Sequence, residues 1–420
     1  MRCSLHLAAC LLLAPARLVP QTLEAVPHRV VVDQSASIRA AGLQPGGRVT
    51  IQADLRDGGD IRWTSHADFI ADAQGTVDTA RQPAVAGSYK EVSAMGLVWS
   101  MKPSSGRAFR YRPPGQGTQT IEFQLLRGHT KLAAARLEQV PMAAGVERID
   151  VSHGALFLPP GGGRHPGVLV LGGSEGGLPH RRAAWLASHG FAAFALAYFR
   201  YADLPRELAG IRLEYFGNAL QWMLERPEID GGPLAVTGVS RGAELALQLG
   251  SMYPAIKAVV AYSPADVRYP ACCGFTSVPY AWTWNGNPLA FAPIRGRQRY
   301  PDLVMRAAID VERTHGPVML ISGDADGIWD STGMADSIVA RLERHHFPYP
   351  VVHLKYAHAG HQAGRPEIVP AWTRPDINPR TGWERDMGGS PQGNAESSLD
   401  APRKVIEFLR RSLGTTRSSP

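Results

Sequence analysis

A serine in the middle of the chain stands in a setting that suits a nucleophile. The segment Gly238-Val-Ser-Arg-Gly242 has the pattern GxSxG, with a short apolar run before it (234–239) and a helix-like run after it (243–249). In that context the pattern is typical of a nucleophile elbow, a strained strand-to-helix turn that exposes a serine hydroxyl. Both glycines are needed because a side chain there would collide with the neighbouring strand or helix. The alternative is an ordinary Ser/Gly turn.

If Ser240 is the nucleophile, it needs a base to take its proton and an acid to orient that base. In α/β-hydrolases these residues follow in the chain order Ser, Asp or Glu, His, at the ends of later strands. We therefore expect the acid just after the apolar run 317–322, where Asp324 and Asp326 both stand. Either aspartate could instead cap a loop or a helix.

The base is expected after the apolar run 351–356, where His358 and His361 both qualify. His361 is favoured because Gly360 precedes it, in a loop that has to bend back towards the serine. The spacing alone thus predicts a proton-transfer chain of one serine, one histidine and one of two aspartates.

Backbone N–H groups must stabilise the oxyanion that forms when the serine attacks. We expect one donor from Arg241, the residue after the nucleophile, and another from Gly173 or Ser174 in the glycine-rich loop 172–177. The backbone can approach a substrate closely only where no Cβ intervenes. The glycines of this loop meet that condition. Its sequence, GGSEGG, lacks the GxGxxG spacing of a dinucleotide site. The predicted mechanism requires neither a metal nor a cofactor.

Residues 144–420 alternate between strand-like and helix-like segments, which indicates an α/β domain with a mainly parallel sheet covered on both faces. The apolar period over 207–225 predicts one helix, and 401–413 predicts a closing amphipathic helix. The elbow, the acid and the base would then lie at strand ends of this sheet, as expected for an α/β-hydrolase.

Residues 21–143 show a different pattern. Short runs of β-branched residues, or of alternating apolar and polar residues, are separated by residues that favour turns. This pattern predicts an immunoglobulin-like all-β sandwich of about seven strands. The segment 87–103 is rich in large apolar residues, and we predict that it faces the other domain. Alternatively, its Trp99 simply fills the sandwich core.

The first 20 residues resemble a secretory signal peptide, with Arg2 as the positive end, an apolar stretch and the small-residue pattern Ala14-Pro-Ala16. A working leader would direct the protein to the periplasm or outside the cell; otherwise the protein is cytoplasmic. Beyond the leader only Cys272 and Cys273 remain, and because adjacent cysteines rarely bond to each other, the cysteines give export no support.

The composition is that of an ordinary globular enzyme, 44% hydrophobic and 19% charged over 420 residues. No apolar run is long enough to span a bilayer, so integral membrane association is not expected. The net charge of +7 comes mainly from scattered arginines, which does not favour a nucleic-acid partner. The expected partner is a small molecule. The sequence does not specify an oligomeric state.

Several further motifs resemble the family of type I acyl-CoA thioesterases and bile-acid-CoA:amino-acid N-acyltransferases. The resemblance covers nearly the whole chain after the leader. The matching segments are 42–46 (GLQPG), 95–97 (MGL), 171–178 (LGGSEGGL), 195–199 (ALAYF), 203–205 (DLP), 213–216 (LEYF), 238–245 (GVSRGAEL), 282–289 (WTWNGNPL), 323–326 (GDAD) and 359–361 (AGH).

This resemblance implies a two-domain hydrolase in which Ser240 is the nucleophile, His361 the base and Asp326, instead of Asp324, the acid. Conjugating family members typically carry cysteine at the nucleophile position, so serine implies hydrolysis of acyl-CoA through an acyl-serine intermediate. The leader departs from the family pattern. An exported carboxylester hydrolase or an N-acyltransferase with the same triad is the alternative, and a non-catalytic secreted binding protein is another.

About fifty residues separate the strand-like run ending at Tyr262 from the next one, and this insertion is rich in aromatic residues. We predict that Trp282 and Trp284 line an apolar groove for the acyl chain, because ligand pockets are mostly apolar. Alternatively, these aromatic residues pack the core of a small subdomain.

Overall fold

The computed structural model describes residues 20–105, 110–115, 117–274, 276–377 and 384–414. The predicted leader, residues 1–20, lies outside these ranges apart from Pro20. Within the described ranges no helix is both long enough and apolar enough to cross a membrane.

The N-terminal part of the chain folds as an all-β sandwich. Its elements are β1 (Thr22–Val26), β2 (Arg29–Val31), β3 (Ser37–Ala41), β4 (Arg48–Arg56), β5 (Arg62–Ile70), β6 (Val77–Asp78), β7 (Ala86–Gly87), α1 (Gly96–Trp99), β8 (Lys102–Pro103), β9 (Gln119–Arg127) and β10 (Thr130–Val140). A sheet of order β1-β3-β6 and one of order β2-β10-β9-β4-β5-β7, with β8 paired to β5, share one core. Every second residue of β4 is buried, so one face of the strand supplies that core.

The prediction of a sandwich is confirmed, but the strand number differs. The described residues up to Val140 form ten strands instead of about seven, because β6, β7 and β8 are too short to show alternation. Trp99 is buried in the sandwich core beside Tyr89. The same core includes Ile368 and Val369 from the C-terminal half, so this segment both fills the sandwich and faces the other half of the chain.

The C-terminal part is built around a second, larger sheet. Its strands are β11 (Glu147–Val151), β12 (Gly154–Leu158), β13 (Gly167–Leu171), β14 (Ala192–Leu196), β15 (Ile211–Arg212), β16 (Leu234–Val239), β17 (Ile256–Tyr262), β18 (Trp282–Trp284), β19 (Asn287–Pro288), β20 (Val318–Gly323), β21 (Val351–Tyr356), β22 (Asp376–Ile377) and β23 (Glu384–Arg385). The main sheet has the order β11-β12-β14-β13-β16-β17-β20-β21. It is parallel from β14 to β21, and β11 and β12 form an antiparallel edge.

Helices cover both faces of this sheet. They are α2 (His180–Ser188), α3 (Glu214–Leu224), α4 (Arg241–Met252), α5 (Pro301–Ala307), α6 (Ser331–Arg344) and α7 (Pro391–Ser412). Helices α3, α4 and α6 bury apolar residues against one face, and α2 and α7 against the other. Strands β12, β13 and β14 are therefore buried at every position, as expected for strands between two helical layers. The predicted α/β fold is confirmed.

Two predicted helices have different bounds. The helix expected over 207–225 begins only at Glu214, because Ile211–Arg212 are extended and pair with β18. The closing helix starts at Pro391 instead of residue 401. The interior of this helix contains Pro402. Because proline normally interrupts a helix, the sequence pattern did not predict that residues 391–400 belong to the same helix.

The expectation that the two adjacent cysteines stay unbonded is wrong. Cys272 and Cys273 form a disulfide between neighbouring residues in the segment between β17 and β18. Cys273 has a φ of 78°, in the left-handed region. This local backbone conformation, which sequence spacing does not reveal, accompanies the bond.

A buried ion cluster links the segment after His361 to helix α2. Glu367 is 6% exposed and binds two arginines, Arg181 of α2 and Arg365. Burial raises the pKa of the Glu367 carboxyl, but the two guanidinium groups more than offset this effect and leave the pKa below its ordinary value. The next residue, Ile368, donates its N–H to Val32 O of the sandwich at 2.8 Å. The cluster therefore stabilises the contact between the two halves.

We expect Glu367→Gln to lower the free energy of unfolding by about 2–3 kcal/mol, because it leaves the partly buried guanidinium groups of Arg181 and Arg365 without their anion. Since the folded-state pKa is lowered, the stabilisation by Glu367 is present above the unfolded-state pKa near 4.5 and is lost as pH falls through the folded-state value. Urea unfolding followed from pH 7 to pH 3 measures both effects.

Glu138→Gln is the matched control, because Glu138 pairs with Arg29 on the exposed surface of the sandwich. That change should cost at most about 1 kcal/mol. Equal losses for the two variants would contradict a stabilising role for the buried cluster.

Candidate active site

The nucleophile elbow is formed where β16 ends and α4 begins. Ser240 lies between them with φ 58° and ψ −122°, a strained conformation for a residue with a side chain. A Cβ at Gly238 would lie 1.9 Å from Gly242 O, and one at Gly242 would lie 2.2 Å from Gly172 O. Glycine is therefore required at both positions, because the strand, the helix and the loop after β13 pass within contact distance of one another.

Three predicted side chains form one continuous chain of hydrogen bonds. His361 Nε2 lies 2.8 Å from Ser240 Oγ, and His361 Nδ1 lies 2.8 Å from Asp326 Oδ2 and 3.0 Å from Oδ1. Ser240 is 8% exposed and His361 is 5% exposed, so the chain is largely shielded from water. In this arrangement the imidazole can take the serine proton while the carboxylate orients the ring.

The two candidate aspartates have different surroundings. Asp326 Oδ1 also accepts the backbone N–H groups of Ile328 (2.9 Å) and Trp329 (3.3 Å), which fix the carboxylate towards the histidine. Asp324 instead accepts the backbone N–H of His358 at 2.6 Å and so caps the loop after β21. The structure thus brings Asp326 and His361 together, and gives Asp324 and His358 a local structural contact.

The backbone of His361 is held from two sides. Its N–H donates to Met387 O at 2.7 Å, and its carbonyl accepts the Ser263 hydroxyl at 2.8 Å. The edge-to-face contact with the Trp329 ring, 5.1 Å between centroids, restricts the imidazole. The orientation of His361 therefore depends on segments before and after it in the chain.

The expected oxyanion donors lie beside the serine. Arg241 is the first residue of α4, where backbone N–H groups have no partner within the helix. A Cβ at Gly173 would lie 3.3 Å from Ser240 Cβ, so the loop backbone passes close to the Ser240 side chain. Ser174 follows in the same half-buried loop. The start of α4 and the loop 172–177 are therefore two backbone segments whose N–H groups could stabilise an oxyanion.

The sandwich contributes a side chain to the edge of this loop. Arg110 forms an ion pair with Glu175, the residue after Ser174. Partial desolvation raises the pKa of the Glu175 carboxyl, but the Arg110 guanidinium more than offsets it, and the pKa is lowered. The rim of the site therefore contains residues from both halves of the chain.

The two residues predicted to line an acyl groove differ in burial. Trp282 is 1% exposed, belongs to the main core and donates its indole N–H to Glu244 Oε1 at 2.6 Å. Trp284 is half-buried and packs edge-to-face on Tyr253, with 6.1 Å between ring centroids. A side chain enclosed in the core cannot line an open groove, so the structure favours the packing alternative for Trp282.

Three residues near the site were missed by sequence reasoning: the side chain of Arg241, Glu244 and Trp329. Arg241 and Glu244 form an ion pair one helical turn apart, and both are fully enclosed. Charged residues in a helix normally indicate a solvent-exposed face. The apolar and small residues around this pair in the sequence were the only signal that it is buried.

A serine at the elbow of a doubly covered parallel sheet, with histidine and aspartate from later strand ends, defines an α/β-hydrolase. The chain belongs to the acyl-CoA thioester hydrolase/BAAT family. The model of the family's N-terminal region matches residues 33–153, and the model of its C-terminal region matches residues 211–276 and 288–415. The predicted family and the prediction of an enzyme are thus confirmed.

Relatives from mammals cover almost the whole chain. Mouse acyl-coenzyme A thioesterase 6 is 34% identical over 402 residues, 91% of this chain and 94% of the relative. Mouse peroxisomal succinyl-coenzyme A thioesterase is 31% identical over 414 residues, 92% and 95% of the two chains. A solved Mycobacterium tuberculosis puromycin-hydrolyzing peptidase, 13% identical with a TM-score of 0.45, covers 92% of this chain and 75% of its own.

We predict that Asp326→Asn lowers kcat by about 10⁴-fold, because an amide cannot hold the imidazole in the required tautomer or stabilise its charged form. Asp324→Asn is the matched control, since its remaining oxygen still accepts the N–H of His358, and its loss should be far smaller. Turnover of an activated ester by the two purified variants tests this. The reverse order of losses would show that Asp324 is the acid.

Proposed function

We propose that this protein hydrolyses acyl-CoA thioesters to free acid and CoA through an acyl-serine intermediate. The observation that carries the proposal is the hydrogen-bonded chain from Ser240 to His361 to Asp326, in a family whose mouse and rat members are named acyl-coenzyme A thioesterases. No part of the proposed chemistry calls for a metal or a cofactor.

In the proposed mechanism, Ser240 Oγ attacks the thioester carbonyl while His361 Nε2 accepts its proton. Backbone N–H groups of Arg241 and of Gly173 or Ser174 stabilise the oxyanion. Collapse of the tetrahedral intermediate breaks the C–S bond, and His361 returns the proton to the CoA thiolate. Water, deprotonated by His361, then attacks the acyl-serine; collapse of this second intermediate breaks the ester C–O bond, His361 returns the proton to Ser240 Oγ, and the acid is released.

Ser240→Ala and His361→Ala should each lower kcat for acyl-CoA by roughly 10⁶-fold, by analogy with serine proteases, and the double variant should lose little more. The reason is that the two side chains act in the same proton transfer. CoA release from acyl-CoA substrates of increasing chain length measures this. Additive losses would contradict a shared catalytic unit.

His358→Ala is the matched control, because only its backbone N–H contacts Asp324 and its side chain is outside the hydrogen-bonded chain. It should keep turnover close to wild type.

A fluorophosphonate probe that labels wild type but not Ser240→Ala distinguishes an enzyme from a non-catalytic binding protein. Cleavage of carboxylesters but not acyl-CoA, or transfer to added amino acids, would favour the exported esterase or the acyltransferase instead.

For the cellular location we propose that residues 1–20 act as a signal peptide and direct the protein out of the cytoplasm. A reporter fused after about residue 25 should then lie outside the cytoplasm and lack the leader. Fractionation and N-terminal mass spectrometry of the fusion measure this. A full-length cytoplasmic product would contradict export, whereas confirmed export would favour an ester or another thioester as the natural substrate.

A further inference from the structure

Arg241 has a second structural role, separate from its backbone N–H. Its side chain is 2% exposed and points away from solvent, where Nε lies 2.9 Å from Glu244 Oε2. The guanidinium also donates to two backbone carbonyls, Nη1 to Pro270 at 2.7 Å and Nη2 to Tyr269 at 3.0 Å. The residue after the nucleophile thus ties the elbow to the segment between β17 and β18.

Glu244 extends this connection. Its side chain is fully enclosed, and its Oε1 accepts the indole N–H of Trp282 at 2.6 Å. Trp282 opens β18, which lies beyond the segment that Arg241 holds. The ion pair therefore holds Tyr269, Pro270 and Trp282 against helix α4.

A buried ion pair is weak support for stability, because apolar residues of similar size often stabilise a core as well or better. Its directed hydrogen bonds do, however, specify one position of the partner backbone. In this protein, those bonds end on two consecutive carbonyls of a loop that approaches the proposed active site. The arrangement is suited to positioning a segment more than to adding stability.

The positioned segment reaches the proposed base. The Tyr269 ring packs on Trp329 with 5.3 Å between centroids, and Trp329 packs edge-to-face on His361 at 5.1 Å. The backbone N–H of Trp329 also donates to Asp326 Oδ1. A shift of Tyr269 would therefore move the ring that confines the imidazole and the turn that holds the acid.

We infer that the Arg241 side chain, with Glu244 and Trp282, is a positioning unit for the hydrolytic reaction. It sets Tyr269, Pro270 and Trp282 against the nucleophile elbow and, through Tyr269 and Trp329, holds His361 in line with Ser240 Oγ. This inference rests on the proposed function.

The first test compares Arg241→Met with Arg241→Lys. Methionine removes the bonds to Glu244 and to both carbonyls, and kcat should fall by about 100-fold with KM changed by less than about threefold. Lysine keeps the charge and can bind Glu244 and one carbonyl but lacks the planar fork of donors, so it should restore only part of the lost kcat. Equal activity of Arg241→Met and wild type would overturn the inference, as would a failure of lysine to recover activity in a folded variant.

The second test uses a milder change with a matched control. Trp282→Phe and Trp185→Phe each remove one indole hydrogen bond from a buried tryptophan to a carboxylate, Glu244 in the first case and Asp33 in the second. Both should lower the thermal unfolding temperature by similar amounts. Only Trp282→Phe should lower kcat, by about tenfold, and alter the pH profile of kcat/KM. Equal kcat in the two variants would show that the unit is merely structural.

The rate of Ser240 labelling by a fluorophosphonate separates this inference from the proposed function. If wild type is labelled but releases no CoA from acyl-CoA, the proposed substrate is wrong and the variants are still compared by labelling rate. If wild type hydrolyses acyl-CoA and Arg241→Met is labelled equally fast, the positioning role fails while the proposed function stands.

Discussion

The left-handed backbone at Ser240 is the constraint on which the proposed site depends. A residue with a side chain in that conformation costs about 1–3 kcal/mol, so the surrounding structure must enforce it. Here β16 lies in the interior of the main sheet, and α4 is buried from Arg241 to Ser251. Because both elements are fixed by their apolar contacts, the turn between them has no freedom to relax, and the position of the hydroxyl is a consequence of core packing.

The proposed base is positioned in a different way. His361 lies in a loop, and its orientation comes from long-range contacts with Ser263, Asp326, Trp329 and Met387. The same loop continues through Glu367 and Ile368 into contacts with α2 and with the sandwich. Correct geometry at the histidine therefore requires that both halves of the chain are folded and docked, whereas the serine requires only the main sheet and its helix.

This difference explains what the sequence could predict. The apolar runs of β16, β17 and β20 and the glycines of the elbow are local signals, and they predicted the sheet and the candidate nucleophile. Spacing alone left Asp324 and Asp326 open, because both follow the same strand and only the three-dimensional path shows which carboxylate faces His361. The start of α3 and the burial of Trp282 depend on the pairing of β15 with β18, which has no local signature.

Hydrogen-bonded serine, histidine and aspartate can cleave an ester or a thioester by the same steps, so the triad does not determine the substrate. Discrimination has to come from groups that meet the acyl chain and the leaving group. The enclosed position of Trp282 makes it a structural support instead of a groove wall. The exposed rim, by contrast, combines the glycine-rich loop with the ion pair of Arg110 and Glu175, which joins the sandwich to that loop. Through this pair, the described part of the sandwich contacts the loop from which one oxyanion donor is expected, so a change in the sandwich at Arg110 would act directly on that loop.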